Sequence, residues 1–241
     1  IPGSLSTVPI TYGKKIETTA KSNIISCLQA LALIEEQTGK HIELALEPEP
    51  DCYLETSDET IAFIQELREQ NLELVDRYLG VCLDTCHMAL QFETPLESLN
   101  KFLAAGINIS KIQISSVLSF QENGHGAEVL NKFDDGVYLH QTRIMSGEGL
   151  ESYKDLPEAI EKGSKGEWRI HCHVPLYFQS NDEGLSSTSD LLTEGFLEKA
   201  FRHCPNIETE TYTFSVLPEQ EESVEEAISK ELQWLLNKLK S

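Results

Sequence analysis

The sequence predicts an α/β fold, a (β/α) TIM barrel, from three observations. Short apolar runs alternate with amphipathic stretches, as parallel strands joined by helical crossovers do. The runs are almost continuously hydrophobic, which suits strands buried on both faces. No Gly-rich phosphate loop follows any of them, so a barrel fits better than an open doubly wound sheet.

In chain order, SLSTVPITY (4–12) reads as a first strand. About 14–38 follows as a long helix with Ile24, Leu28, Leu31 and Ile34 inward. IELALEPEP (42–50) is rich in strand formers and stops at Pro48. TSDETIAFIQELRE (56–69) opens on a Ser/Asp capping signal and continues at helical spacing, with Ile61, Ile64 and Leu67 on one face. YLGVCLDT (78–85) is the next strand, and PLESLNKFLAAG (95–106) the next helix, with Pro near its start and Gly as its stop. SKIQISSVL (110–118) is a third strand, and about 119–166 reads as an irregular insertion. WRIHCHVPL (168–176) is strand-like, LTEGFLEKAFRH (192–203) helical, NIETETYTF (206–214) a strand, and 219–240 a closing helix. That makes about six strands, where a complete barrel has eight. With a first strand so close to Ile1, the expectation is one domain over 1–241, the C-terminal portion of a barrel whose N-terminal strands lie outside this chain.

Lys and Arg number 19 against 40 Asp and Glu, a net charge of −21. Such a surface repels phosphate backbones and anionic head groups, which argues against nucleic-acid or membrane docking. Much of the charge lies in PEQEESVEEAISKEL (218–232), read as a solvated helix face. None of Cys27, Cys52, Cys82, Cys86, Cys172 and Cys204 forms a CxxC pair, and several sit in apolar runs as buried thiols do. No apolar run reaches the roughly 18 residues of a membrane span. A reducing, cytoplasmic location is expected.

Function in a barrel gathers at the C-terminal ends of its strands, and there the sequence repeats one feature. Glu47 and Glu49 end one strand and Asp84 another. Gln113, Ser115 and Ser116 end a third, His171 and His173 lie in RIHCHVP, and Glu208 and Glu210 in NIETETYTF. Carboxylates that converge repel one another unless protonated or neutralised, and a divalent metal is the simplest neutraliser. Glu208, Glu210 and Tyr212 alternate onto one side, so period alone does not choose between the glutamates. His171 and His173 share a face, with Cys172 opposite, and two imidazoles on one strand face suit a metal. Asp84 on the last strand residue and His87 on the first helical turn would both overlook the pocket. A single carboxylate after a strand is more often a helix cap, and His125, His140 and His203 taken singly read as surface or structural residues. Recurrence at five strand ends is what supports a metal or polar catalytic pocket.

LEPEP resembles the strand of the xylose isomerase-like TIM-barrel superfamily that ends in a metal-binding Glu. CLDTCH resembles its Asp-x-x-His element, and NIETETYT the final strand with the last Glu ligand. The superfamily includes sugar epimerases and type IV apurinic endonucleases; the charge of −21 speaks against the latter activity. The run of GSLSTVP, ALEPEP, LDTCHMAL, IQISSVL, YLHQTR, HCHVPLY and ETYTFSVLPE resembles, more narrowly, the EboE-type metabolite traffic proteins, a branch with no established reaction.

The resemblance implies a divalent metal (Mn, Zn, Fe or Mg) held by Glu47, Asp84 and Glu210. Gln113 stands where the family has a His ligand, and His173, or else His171, is the candidate for the missing nitrogen. Glu47 and Glu210 would move the proton beside a substrate carbonyl, and His87, the third catalytic residue implied, would hold a substrate hydroxyl or the metal-bound water. His140, Arg143 and His171 are the further substrate contacts implied. The expected activity is that of a metal-dependent isomerase or epimerase acting on a small polyhydroxylated or isoprenoid-derived metabolite. A metallo-hydrolase using the same site and a non-catalytic metabolite-binding or carrier barrel are the alternatives. A second copy, or the missing segment, would cover the open sheet edges.

Overall fold

In the computed structural model the described residues are 13–121, 126–134, 136, 138–178, 183–211 and 223–240, with backbone only for 13–17. The expected strand 4–12, His125 and Tyr212 lie outside them.

The first half alternates helix and strand: α1 (Gly13–Thr38), β1 (Leu44–Leu46), α2 (Ser57–Tyr78), β2 (Leu79–Asp84), α3 (Thr85–Leu90), α4 (Pro95–Ala104) and β3 (Asn108–Ile114). Helix α2 starts on a full capping box, the Thr56 hydroxyl accepting from the Glu59 N–H while the Glu59 carboxylate accepts from the Thr56 N–H. It extends past residue 69 to Tyr78, broken at Asn71. Pro95 opens α4 after a Thr94 cap. On α1, Ile24 and Leu28 are buried as expected, but Ile34 is 38 % exposed. The predicted stripe therefore faces inward only over the helix's middle.

Strands β1, β2 and β3 pair in parallel, and β9 (Ile207–Thr209) joins the far side of β3, giving the order β1-β2-β3-β9. Every residue of β2 is buried, so its unbroken apolar run fits its central place. Gly80 is required there: a Cβ would lie 2.0 Å from the Ser110 hydroxyl oxygen and 2.8 Å from the Asn108 carbonyl.

The second half departs from the expectation. The described residues of 119–166 are largely regular. Strands β4 (Val117–Gln121), β5 (Thr142–Ser146) and β6 (Gly149–Tyr153) fall in or against this stretch, followed by α5 (Leu156–Lys162). With β7 (Glu167–His173) and β8 (Leu185–Ser187) they form an antiparallel sheet in the order β6-β5-β7-β4-β8. SKIQISSVL, expected as one strand, breaks at Ser115–Ser116, where the chain leaves the parallel sheet for the antiparallel one. WRIHCHV is a strand as predicted, yet it pairs antiparallel with both β4 and β5. Helices α6 (Glu194–His203) and α7 (Val224–Lys238) complete the order.

Each sheet has its own apolar core. Phe63, Leu67, Leu83, Phe102 and Ile112 belong to the one around the parallel sheet. Phe120, Phe133, Ile144, Trp168 and Ile170 belong to the other. No helix among the described residues is long and apolar enough to cross a membrane.

Candidate metal centre

The pocket opens where the two sheets meet, at the C-terminal ends of the parallel strands. It has a volume of about 410 Å³ and is lined by Glu47, His87, Gln113, His171, His173 and Glu210 among others.

Asp84 lies behind the lining residues, fully buried. Its Oδ1 caps α3, accepting from Cys86 N–H (2.7 Å) and His87 N–H (3.0 Å), and accepts from the Ser115 hydroxyl at 2.8 Å. Burial alone would raise this carboxyl; the imidazoles of His87 and His173, Ser115 and the His87 N–H outweigh it and hold Asp84 ionised, well below the usual range. Its Oδ2 is buried and meets no hydrogen-bond donor among the described residues.

Glu47 follows β1 and Glu210 follows β9. Together with Asp84 they place three carboxylate oxygens within 4.8 Å of one another. Burial, and the charge of Asp84, push both glutamates up, Glu210 to about 8. Three carboxylates from the ends of three strands thus crowd one another in a buried place.

Gln113 pairs in register with Asp84 and Glu208 on its two sides. Its Nε2 donates to Glu210 Oε2, and its Oε1 accepts from the Cys82 thiol at 2.8 Å. Both ends of the amide are therefore committed to hydrogen bonds. Gln113 bridges Cys82 and Glu210 instead of offering a ligand in the place where a histidine was expected.

Three imidazoles close the other side. The His87 ring centroid lies 5.0 Å from that of His171 and 5.6 Å from that of His173. Each ring is oriented through Nδ1: His87 on the Pro48 carbonyl (3.0 Å), His171 on Gln141 Oε1 (2.8 Å), His173 on the Glu210 carbonyl (3.1 Å). Carbonyl oxygens only accept, so Nδ1 carries the hydrogen and Nε2 is the ring nitrogen left to bind a cation. Burial and the neighbouring imidazoles hold His171 well below its ordinary value. Burial also lowers His173, against the pull of Asp84. His171 Nε2 has no partner among the described residues.

His140 and Arg143 do not line the pocket. His140 is buried behind β7, its Nδ1 on the His171 carbonyl at 3.2 Å. Arg143 is buried too, and its Nη2 donates to Asp51 Oδ1 (2.8 Å) and Glu55 Oε2 (2.9 Å). Asp51 takes the left-handed backbone region at φ +58°. The expected substrate contacts at these two positions are instead a backbone tie and a clamp on the loop after Glu47. Lys111, Glu49 and Cys82 line the pocket without having been singled out as ligands or contacts. Lys111 was legible by period, two residues before Gln113 on the same face of β3. It pairs with Glu208 at 2.6 Å, which separates Glu208 from Glu210 where alternation did not.

Parallel strands with helical crossovers, and carboxylates and imidazoles gathered at their C-terminal ends, define an α/β protein with a polar pocket at the strand mouth. The family described as xylose isomerase-like TIM barrel matches residues 2–165, well over half of the chain, and the chain belongs to it. No curated protein and no solved structure matches it significantly.

The residues fit a divalent cation. The unpartnered Asp84 Oδ2, the crowding that raises Glu47 and Glu210, and the unpartnered His171 Nε2 are the signs of a site built around positive charge.

Proposed function

We propose that the protein is a metal-dependent isomerase or epimerase acting on a small polyhydroxylated or isoprenoid-derived metabolite. The observation that carries this reading is the convergence of Glu47, Asp84 and Glu210 from three strands of one parallel sheet. These three carboxylates would hold the cation, with His87, which groups with Asp84, beside them. The bound cation would polarise the carbonyl of the substrate. Glu47 takes the proton from the adjacent carbon, and Glu210 supplies one to the opposite face. The exchange inverts or relocates a carbon–hydrogen bond with no net oxidation. His87 and Lys111 line the pocket and would receive substrate hydroxyls. The likeness of HCHVP and the ETYT segment to the EboE-type metabolite traffic proteins supports the isoprenoid-derived end of that range.

The three clustered imidazoles favour a second reading, hydrolysis at the same site. Incubation of the metal-replete chain with candidate hydroxy-carbonyl metabolites in deuterated water separates the two. The isomerase incorporates deuterium at the carbon beside the carbonyl, and Glu47→Gln abolishes it. Release of a cleaved product without incorporation supports the hydrolase. Tight binding with neither leaves a carrier barrel.

A further inference from the structure

The geometry points to a second, separate cation site made by Cys86, His171 and His173, of a chemistry that selects zinc or another thiophilic ion. One donor atom from each of the three lies within 4.8 Å of the others, and all three residues are buried. This group uses neither glutamate and not Asp84.

The donor set decides the ligand class. Thiolate and imidazole favour zinc, and disfavour the hard cations that an all-carboxylate site would take. Three protein ligands is also the number found in zinc sites that keep a position open, as opposed to structural sites closed by four. His171 and His173 line the pocket and Cys86 does not, so a cation there would be reached from the pocket with the sulfur behind it.

Support for the site extends beyond the three ligands. Gln141 holds His171 by its Nδ1 at 2.8 Å, which fixes the ring and directs Nε2. That Nε2 is buried, 6 % of the residue being exposed, and meets no partner among the described residues. The chain also comes together here from two directions: Cys86 stands in the first turn of α3 at the end of the parallel sheet, while the histidines project from the antiparallel β7. An ordinary buried cysteine is inert packing. Cys86 is set apart by two imidazoles brought to it from the other sheet. Assigning His173 here leaves the carboxylates to a first cation, with His87 beside them. The two sites then lie side by side in one pocket.

Cobalt(II) tests this directly, because a thiolate ligand gives a cobalt charge-transfer band in the near ultraviolet that carboxylate and imidazole ligands do not. The full 241-residue chain, stripped with chelator, is titrated with cobalt(II) and then competed with zinc(II). The expected result is a band that saturates at one equivalent and is displaced by zinc. Cys86→Ser removes it. Gln141→Ala weakens cobalt binding roughly 10- to 100-fold while keeping the band. Glu47→Gln and Cys82→Ser leave it in place, which distinguishes this site from the carboxylate site. No band in the parent chain, or a band undiminished in Cys86→Ser, overturns the proposal. If circular dichroism shows Cys86→Ser to be unfolded, His171→Gln decides: unchanged cobalt affinity in that variant overturns it equally.

Discussion

Replacing Arg143 by alanine removes a guanidinium that is 1 % exposed and holds two carboxylates, Asp51 at 2.8 Å and Glu55 at 2.9 Å. Taking one partner out of a fully buried ion pair costs about 3–5 kcal/mol, mostly from the charge left without a counterpart. Here the side chains of Asp51 and Glu55 keep 30 % and 21 % of their exposure, so water recovers part of that loss. Lost packing of the long side chain adds to it. The expected destabilisation is about 2–4 kcal/mol, a fall in Tm of roughly 5–15 °C for a chain of this size. Urea unfolding followed by far-ultraviolet circular dichroism, with the slope unchanged, gives the value. Arg143→Lys keeps the charge but not the fork that reaches both carboxylates, and recovers less than half. A loss below about 0.5 kcal/mol in Arg143→Ala would refute the clamp, since surface substitutions cost no more. The same loop carries Glu47 and the Pro48 carbonyl that orients His87, so cation affinity should fall along with stability.

Asp84→Asn preserves the cap on α3 and should keep stability within about 1 kcal/mol, whereas Asp84→Ala loses the cap and a further 1–2 kcal/mol or so; both should abolish binding at the carboxylate site by calorimetry. Glu231 is raised by burial, against hydrogen bonds from Thr211 and Leu176 N–H. Its folded form therefore holds a proton longer than the unfolded chain, so it lowers stability as pH climbs above 4.5. Glu231→Gln should be the more stable chain at neutral pH, with the gap closing in denaturation curves below pH 4.5. Gly80→Ala drives a methyl against the Asn108 carbonyl and should cost about 1–3 kcal/mol by the same urea measurement.

The parallel half of the fold was legible because its signals are strong and local. β2 is apolar up to Asp84, a capping signal opens 56–69 (the cap itself being Thr56), Pro95 marks a helix start, and Asp84 followed by His87 marks a strand end turning into a helix. The antiparallel half was not. Its strands are five residues or so, and β6 is mostly exposed, so neither continuous hydrophobicity nor clean alternation betrays them. One cue stood in plain view: Gly147–Glu148 between β5 and β6 is a two-residue hairpin loop. Strand direction cannot be read from WRIHCHV at all, because a strand buried on both faces looks alike in either sheet. In the site, residue type and strand position located Glu47, Asp84, Glu210, His171 and His173. Pairing decided what they meet: Lys111 draws Glu208 aside, Gln113 reaches Glu210, and Arg143 turns to Asp51 and Glu55.

Ser115 and Ser116 are the whole of the passage from β3 to β4, and each is fastened by its hydroxyl, one to Asp84 and the other to the Val174 carbonyl at 2.8 Å. The pocket therefore lies on a seam between two halves that have separate interiors. Whatever occupies it and touches both Asp84 and His173 is tied to the folding of each, since its binding is forfeited if either half opens. An occupant of that kind acts as a rivet. It adds its own binding energy to the resistance of both halves at once.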